Sequence, residues 1–253
     1  MGKEAAKAFE SVCAVLLGKS VGGLEQCAPW LGRNVLPPIE RTANGKSVYI
    51  PDMLYYNAIK ERLVDGQSAL EMGKKSITQE QARALSLSGA SKTLAAIKTT
   101  TSDVSQGKNI AVEKAAAYGM SHYCSNGTFF VSNKYCAYCF WPRQSEYAFG
   151  SVYLFSSKFC MNCYYSSALT RCFEVSDSNS CTDCYYCHNC ENLQDCMFCF
   201  NVKSKRYAVC NVELGREKYM ALKKSVLAEI SGKLEKEHSL SLGIYNLGCG
   251  GKA

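Results

Sequence analysis

Both ends of the chain carry apolar side chains at helical spacing. Residues 3–17 place them on one face, and residues 213–235 do the same with lysines and glutamates facing away. Shorter helical patterns begin at Pro51, after Gln67 and at Thr78, whereas glycines and prolines between the first helix and Pro51 predict loops. The two long apolar stripes consist of Ala6, Phe9, Val12, Cys13, Leu16 and Leu17, and of Tyr219, Leu222, Val226, Ile230 and Leu234.

The middle of the chain lacks a helical period. Cysteine instead returns every twelve residues in one column, and a second column follows three residues later. Ten of the thirteen cysteines between positions 124 and 210 lie in these two columns. A fixed short period indicates stacked, equivalent turns of backbone. The first column contains Cys124, Cys136, Cys160, Cys172, Cys184 and Cys196, and the second contains Cys139, Cys163, Cys187 and Cys199.

The length of this period predicts the architecture. Twelve residues at about 3.3 Å each give a coil with a perimeter of roughly 40 Å. Such a coil is expected to enclose one or two small side chains per turn, and cysteine is small and apolar. Parallel coils stack about 4.8 Å apart, so equivalent sulfurs would form a ladder. We therefore predict an α+β fold, a short-coil, twelve-residue parallel β-solenoid with a helical N-terminal region and a C-terminal capping helix.

The same patterns divide the chain into three parts. We expect a helical N-terminal region at 1–110, the cysteine-ladder solenoid at 111–212, and the capping helix with a glycine-rich tail at 213–253. The open edges of a first and a last coil invite aggregation, and repeat proteins cover them with terminal caps. We expect the N-terminal region to cover the first coil and the C-terminal helix to cover the last.

Composition and charge narrow the class of protein. The chain has 47% hydrophobic residues, sixteen cysteines and a net charge of +7. The repeat from 112 to 212 holds eight basic and seven acidic residues, which weakens the case for a nucleic-acid partner. No secretory signal or membrane-spanning run is visible. We therefore expect a cytoplasmic protein, or part of a particle assembled inside the cell, with its thiols free or metal-bound.

The sharpest local motif is a run of four cysteines at three-residue intervals. An iron–sulfur loop would end in a cysteine followed by proline, whereas Glu191 follows this run, and a zinc ribbon needs a longer spacer between its two cysteine pairs. We interpret the run as part of the repeat and expect no resident cofactor. The alternative is a metal-binding protein that holds zinc or an iron–sulfur cluster at Cys181, Cys184, Cys187 and Cys190.

The sequence nominates no catalytic residues. It shows no Ser/His/Asp order, paired-carboxylate motif or phosphate-binding glycine loop. His188 lies between two cysteines and could ligate a metal or carry a proton, but a lone histidine in a polar column is more often a surface or hydrogen-bonding residue. We expect a protein that is not an enzyme.

An aromatic column marks a candidate interaction surface. Flat aromatic side chains in a row can stack nucleic-acid bases or sugars. The simpler interpretation is that they cover the outside of the coil against the N-terminal helices. The column contains Phe129, Trp141, Tyr153 and Tyr165, followed by Asp177, Asn189 and Asn201.

The stretch from Ser156 to Glu213 resembles uncharacterised cysteine-rich repeat proteins of archaea and of small-genome bacteria. The resemblance rests on the segments 157–164, 184–189 and 201–207, and on the helix opening at 215–219. Bacterial members have additional N-terminal zinc-knuckle cysteines, whereas this chain has only Cys13 and Cys27 there. The resemblance implies the solenoid architecture and no particular activity.

These observations favour a non-enzymatic structural or assembly module, a rigid cysteine-rich solenoid that associates with itself or with a protein partner. The metal-binding protein is one alternative. A nucleic-acid-binding module that uses the aromatic column is another, and no membrane partner is expected.

Overall fold

The computed structural model describes residues 3–57, 62–102 and 105–248. It confirms the predicted fold, with a β-solenoid of about nine turns and twelve-residue coils, a helix at the N-terminus and a helix near the C-terminus.

The helices are α1 (Lys3–Leu17), α2 (Ala28–Leu31), α3 (Leu54–Asn57), α4 (Gly66–Met72), α5 (Gln79–Arg83), α6 (Ala90–Leu94) and α7 (Arg216–Glu237). The strands before the middle of the solenoid are β1 (Ile39–Ala43), β2 (Lys46–Ile50), β3 (Ser105–Gln106), β4 (Glu113–Ala116), β5 (Tyr118–Gly119), β6 (Ser125–Thr128) and β7 (Glu146–Phe149). The later strands are β8 (Val152–Phe155), β9 (Lys158–Met161), β10 (Tyr164–Ser167), β11 (Thr170–Ser176), β12 (Thr182–His188), β13 (Gln194–Met197), β14 (Arg206–Val209) and β15 (Val212–Glu213).

The solenoid is wound from parallel strands that pair with residues one coil away. Cys160 pairs with Cys172, and Cys184 pairs with Cys196, each at an offset of twelve residues. Isolated bridges continue the same offset, from Ile110 with His122 to Glu191 with Lys203. After the last coil the chain reverses, and β15 pairs antiparallel with β14. The sulfur columns read from the sequence are therefore stacked one coil above another.

The backbone turns at every third residue of the repeat. From Ala111 to Cys210, each third position has a φ between +47° and +58°, and Gly150 takes this place once with a φ of +66°. These residues lie in the left-handed region, which reverses the local direction of the chain. Four such turns close one twelve-residue coil, and the residue after each turn faces the interior.

Each coil therefore encloses four side chains, more than the one or two expected from its perimeter. Their sizes compensate for one another, because the coil has a fixed width. Phe130 lies beside Gly127, where a Cβ atom would stand 2.6 Å from the Phe130 ring and 2.3 Å from the carbonyl oxygen of Cys139. Leu193 in turn follows four inward cysteines. Cysteine has the intermediate size that a crowded interior of this kind accepts.

Two adjoining sides of the solenoid are covered by the flanking segments. Helix α1 packs on one side, where the Phe9 and Phe149 rings lie 5.3 Å apart and the Tyr185 hydroxyl donates to the carbonyl oxygen of Leu16 at 2.8 Å. On the next side, the Tyr164 hydroxyl accepts a hydrogen bond from Asn34. Apolar residues of these sides form a core separate from the coil interior.

A buried carboxylate joins both flanking segments to the solenoid. Glu174 is fully buried and pairs with Arg33 at 2.7 Å. It also accepts hydrogen bonds from the Asn162 side chain at 2.9 Å and from the backbone N–H of Ile244 at 2.8 Å. Burial raises the pKa of Glu174, while Arg33 and the two donors oppose that rise. Residues before and after the repeat thus meet at one side chain of the solenoid.

Helix α7 lies along the side of the last coils. Its Tyr219 ring is 5.8 Å from the Tyr207 ring, and its Lys223 approaches Asp195 at 3.5 Å. The helix therefore covers a side wall, while β15 pairs with the edge of the last coil. None of the described helices is long and apolar enough to cross a membrane.

The N-terminal region is less helical than its sequence pattern predicts. Strands β1 and β2 form an antiparallel hairpin around Asn44 and Gly45, in the stretch expected to consist of loops. The helix expected from Pro51 is α3, and the continuation of that pattern over 58–61 lies outside the described residues. The pattern that starts at Thr78 forms two helices separated at Gly89, and Thr78 caps the first.

Candidate functional site: the thiol ladder and the uncovered surface

The described cysteines are free, and all except Cys210 are buried. Within the coils, each sulfur lies against backbone carbonyl groups. The Cys172 thiol donates to the carbonyl oxygen of Thr170 at 3.5 Å and to that of Cys181 at 3.4 Å. Cys181 lies on an adjoining side of the following coil. The thiols are therefore held in place by the turns that surround them.

The run from Cys181 to Cys190 fills four consecutive inward positions. Cys184 and Cys187 belong to the two columns read from the sequence, and Cys181 and Cys190 occupy the two further inward columns that the period of twelve did not indicate. The inward neighbours of Cys184 are four other cysteines, Cys181 and Cys187 along the chain and Cys172 and Cys196 on the coils before and after it. One complete turn of the interior is thus lined with sulfur.

Burial and thiol–thiol contact shift the pKa values of this ladder in two directions. Burial raises the pKa of Cys139, Cys163 and Cys187 well above the ordinary thiol value. Contacts with the four neighbouring thiols, together with burial, raise the pKa of Cys184. Interaction with Cys184 instead lowers the pKa of Cys181, and interaction with Cys187 and Cys196 lowers that of Cys199. Most of the ladder therefore remains protonated at neutral pH.

The predicted four-cysteine metal site does not have the arrangement of a tetrahedral centre. Zinc binds four sulfurs at about 2.3 Å, which places those sulfurs about 3.8 Å from one another. Within the part of the chain that the structure describes, no three histidine, cysteine, aspartate or glutamate side chains are arranged to hold one ion.

The predicted aromatic column forms a continuous stack on the outside of the rod. Ring centroids lie 4.7 Å apart between Phe129 and Trp141, 5.7 Å between Trp141 and Tyr153, and 5.0 Å between Tyr153 and Tyr165. The first three rings are half-buried against the apolar core, whereas Tyr165 is 58% exposed. Because neighbouring ring faces contact one another, the column presents mainly ring edges along the rod.

A second aromatic stack was not singled out from the sequence. The rings of Tyr123, Tyr135, Tyr147 and Phe159 succeed one another at 5.1, 4.9 and 4.6 Å. This column also consists of left-handed turn residues. It precedes the first cysteine column by one residue, so the twelve-residue period places its members above one another and could have indicated the stack.

Between the two aromatic stacks lies a surface that none of the other described segments covers. We call it the uncovered surface, and it consists of one column of turn residues and the strand positions on either side. Its side chains are exposed or half-buried, whereas the equivalent strand positions on the covered sides are almost all buried. The turn column contains Ser132, Gln144, Ser156, Ala168, Ser180, Asn192 and Ser204, and the flanking positions include Lys134, Arg143, Glu146, Phe155, Lys158, Asn179, Glu191, Lys203 and Arg206.

Charges on the uncovered surface are partly paired along the rod. Glu146 lies between Lys134 at 3.9 Å and Lys158 at 3.4 Å, and Lys203 pairs with Glu191 at 2.6 Å. Exposed ion pairs of this kind contribute little to stability. Their effect is to give the surface a mixed charge pattern that repeats with the coils.

His188 is a hydrogen-bonding residue, the interpretation favoured by the sequence. Its Nδ1 atom lies 2.8 Å from the Ser176 hydroxyl and 3.4 Å from a carboxylate oxygen of Asp177. In a hydrolytic triad the serine and the carboxylate contact opposite ring nitrogens. Here both partners share one nitrogen, so the three residues do not form that arrangement.

One groove lies where the N-terminal helix, α7 and the solenoid meet. Its volume is about 490 Å³, and its lining includes Lys19, Asp183, Tyr185, Lys223 and Lys224. The Lys223 ammonium lies 5.0 Å from the Tyr185 ring centre and pairs with Asp195, and Lys19 pairs with Glu235. Two of the three lysines are therefore already partnered within the protein.

Comparison of the chain with family models, with curated proteins and with solved structures gave no match.

Proposed function

We propose that the chain is a non-enzymatic assembly module, a rigid rod that associates with further copies of itself through the uncovered surface. The observation that supports this most directly is the one-sided coverage of the solenoid. Two sides are buried beneath the helix and segments that flank the repeat, and within the described part of the chain nothing packs on the other two. A partner with the same repeat spacing could contact every coil.

The size of the uncovered surface suits a stable interface. Each side of a coil is three residues long, or about 10 Å, and nine coils extend for roughly 40 Å. Two sides therefore offer about 800 Å², the area that each partner contributes to an interface of ordinary size. Because the coil interior is filled and the coils are hydrogen-bonded throughout, this surface is held rigid before association, which lowers the entropic cost of binding.

The test is the oligomeric state of the full chain and of two matched variants. Ser156→Arg places a charge in the middle of the uncovered surface, at a turn position of the type that Arg171 occupies elsewhere. Ser225→Arg adds the same charge on the exposed side of α7. In sedimentation-velocity measurements we expect the parent chain and Ser225→Arg to associate and Ser156→Arg to remain monomeric. A monomeric parent chain, or unchanged association of Ser156→Arg, would refute the proposal.

Metal binding is a second candidate, favoured by the complete turn of buried cysteines from Cys181 to Cys190 and its stacking on Cys172 and Cys196. Elemental analysis of protein purified without oxygen tests it. Stoichiometric metal would show that the chain binds metal in addition to any role in assembly. Base stacking on the aromatic column has less support, since the rings already stack on one another. If nucleic acid binds, its affinity should fall steeply with salt.

A further inference from the structure

The thiols are concentrated in a part of the rod where packing alone does not require them. In an earlier coil the same four inward columns are filled by Ala148, Ser151, Leu154 and Ser157. Small apolar or hydroxyl-bearing side chains are thus sufficient to fill the interior. The densest sulfur-rich part consists of seven adjoining buried positions, Cys172, Cys181, Cys184, Cys187, Cys190, Cys196 and Cys199, and Cys160 and Cys163 continue the ladder one coil earlier.

The seven thiols occupy neighbouring inward positions on adjacent coils. Cys184 pairs in register with Cys196 on one neighbouring coil and lies one coil away from Cys172 on the other side. Cys187 and Cys199 lie one coil apart in the second column, and Cys199 fills the inward position after Cys196. An ion between two of these sulfurs would therefore have further sulfurs beside it, and no water would be required to complete its coordination.

The spacing between stacked coils favours a two-coordinate ion. Stacked strands repeat at about 4.8 Å, whereas two metal–sulfur bonds of about 2.3 Å in a straight line span about 4.6 Å. A two-coordinate ion thus fits between equivalent sulfurs of adjacent coils with little movement. A tetrahedral ion requires sulfurs about 3.8 Å apart and four of them, which the described residues do not provide.

The burial of the cluster favours a monovalent ion. The cluster is buried, and an uncompensated charge there would be costly. When a monovalent ion binds between two thiols and displaces one proton, the product is one thiolate, one thiol and the ion, with no change in total charge. Sulfur ligands favour soft ions, and Cu(I) is the soft monovalent ion of the first transition series.

We propose that the seven-cysteine cluster binds Cu(I) in two-coordinate sites between sulfurs, with release of one proton for each ion. The coil backbone encloses these sulfurs, so the ions enter while the chain folds. This inference deepens the metal-binding candidate and does not depend on the assembly proposal.

The experiment measures Cu(I) uptake by the full chain under nitrogen. Cys210→Ser and Cys249→Ser are introduced first, because Cys210 is exposed and Cys249 lies outside the described residues. The chain is refolded with an acetonitrile complex of Cu(I) and then challenged with a chromophoric Cu(I) chelator. Cys184→Ser removes the central thiol of the cluster. Cys139→Ser is the matched control, since Cys139 is equally buried, bonds to backbone carbonyls and lies outside the seven.

We expect the parent chain to retain at least two equivalents of copper per chain, Cys139→Ser to retain the same amount, and Cys184→Ser to lose at least one equivalent. X-ray absorption should show two sulfur neighbours per copper and no oxygen or nitrogen. Complete loss of copper to the chelator, or equal retention by Cys184→Ser, would overturn the proposal. If Cys184→Ser does not fold, the absorption spectrum of the parent chain decides, because nitrogen or oxygen ligands would indicate an adventitious surface site.

Refolding in parallel with Zn²⁺ distinguishes two-coordinate Cu(I) binding from metal binding in general. Stoichiometric zinc with four sulfur neighbours would support metal binding while refuting the two-coordinate geometry. Retention of neither ion would refute both, and either result leaves the sedimentation test of assembly unaffected.

Discussion

The left-handed turn at every third residue is the defining feature of the solenoid at the scale of single residues. Most of these positions hold neither glycine nor asparagine, and many hold tyrosine or phenylalanine. A side chain with a Cβ atom in this region costs roughly 1–2 kcal/mol. Contacts along the columns offset part of that cost, because a stacked aromatic pair such as Tyr135 and Tyr147 contributes about 0.5–1.5 kcal/mol beyond its buried area.

Ala168 offers a direct test of this conformation. It is an exposed turn residue with a φ of +52° and has no ring with which to stack. Asparagine tolerates the left-handed region better than alanine, whereas valine tolerates it poorly. We expect Ala168→Asn to raise the free energy of unfolding by about 0.5–1 kcal/mol and Ala168→Val to lower it by about 1–2 kcal/mol, both measured by urea denaturation. Equal stability of the two variants would show that the position is not left-handed.

At this scale the sequence could indicate the repeat but not a turn at every third residue. The recurrence of cysteine identified the stacked columns, because equivalent coils select similar interior residues. The three-residue interval was visible only where cysteines fill neighbouring inward columns, since other inward positions hold residues as different as Phe130 and Leu154. The polar turn column of the uncovered surface has the composition of a tight corner, whereas turn residues such as Trp141 and Arg171 carry no signal for a left-handed conformation.

At the scale of structural elements, the thiol ladder makes stability depend on pH. Burial raises the pKa of Cys136, Cys139, Cys163 and Cys187 above the ordinary value of 9.0. These thiols keep their protons in the folded state while the unfolded chain loses them above that pH. Their contribution to stability is therefore complete below pH 9 and is lost as the pH rises toward the folded pKa values.

We predict that the free energy of unfolding falls between pH 9 and pH 10. Each thiol contributes up to about 1.4 kcal/mol per pH unit in this range. Cys181 and Cys199, whose pKa values are lowered, act in the opposite direction, but their contributions are lost only as the pH falls below the ordinary thiol value, so they do not cancel the decline. Urea denaturation at several pH values measures the slope.

The control for this prediction is Cys163→Ser. Serine occurs one coil earlier in the same inward column, at Ser151, so the coil accepts it. In this variant the free energy of unfolding should fall less steeply with pH, by the contribution of one thiol. An unchanged slope in this variant would show that the ladder thiols are not the cause, and a rise in stability over the range would contradict the account outright.

Among the elements, long helices were the easiest to predict. Helix α1 and helix α7 have apolar stripes several turns long, and the sequence indicated both within a few residues. The hairpin of β1 and β2 was missed, although Asn44-Gly45 is a common hairpin turn, because its strands lack a clear alternation. Helices α4, α5 and α6 bury none of their residues, so their limits depend on local caps and were harder to predict.

At the scale of the whole molecule, the flanking segments complete the fold. Tyr219 and Leu234 of α7 are fully buried. The sequence could predict that a helix follows the repeat, but not which side wall it covers, because that depends on contacts between distant residues such as Lys223 with Asp195. The same limit applies to the candidate site, whose uncovered surface is defined by where the other segments pack.

A chain that ends after Asn211 should therefore aggregate. Removal of α7 and of the residues beyond it would expose apolar side chains of the last coils and remove the Ile244 donor of Glu174. Size-exclusion chromatography distinguishes the outcomes, with a chain that ends after Leu247 as the control that retains these contacts. A soluble, monomeric product from the shorter chain would show that the C-terminal segment is not needed to cover the solenoid.

The central claim is that the chain winds into stacked twelve-residue coils, and distances between spin labels test it most directly because they measure the rise per coil. With Cys210 and Cys249 replaced by serine, labels are attached at Ser132→Cys with Ser180→Cys, and at Ser132→Cys with Ser204→Cys, all turn positions of one column. The pairs are four and six coils apart, since their spacings in sequence are 48 and 72 residues. At about 4.8 Å per coil, the account predicts separations near 19 and 29 Å, a difference of about 10 Å. Equal distances, or a shorter one for the wider pair, would show that the chain does not wind into stacked twelve-residue coils.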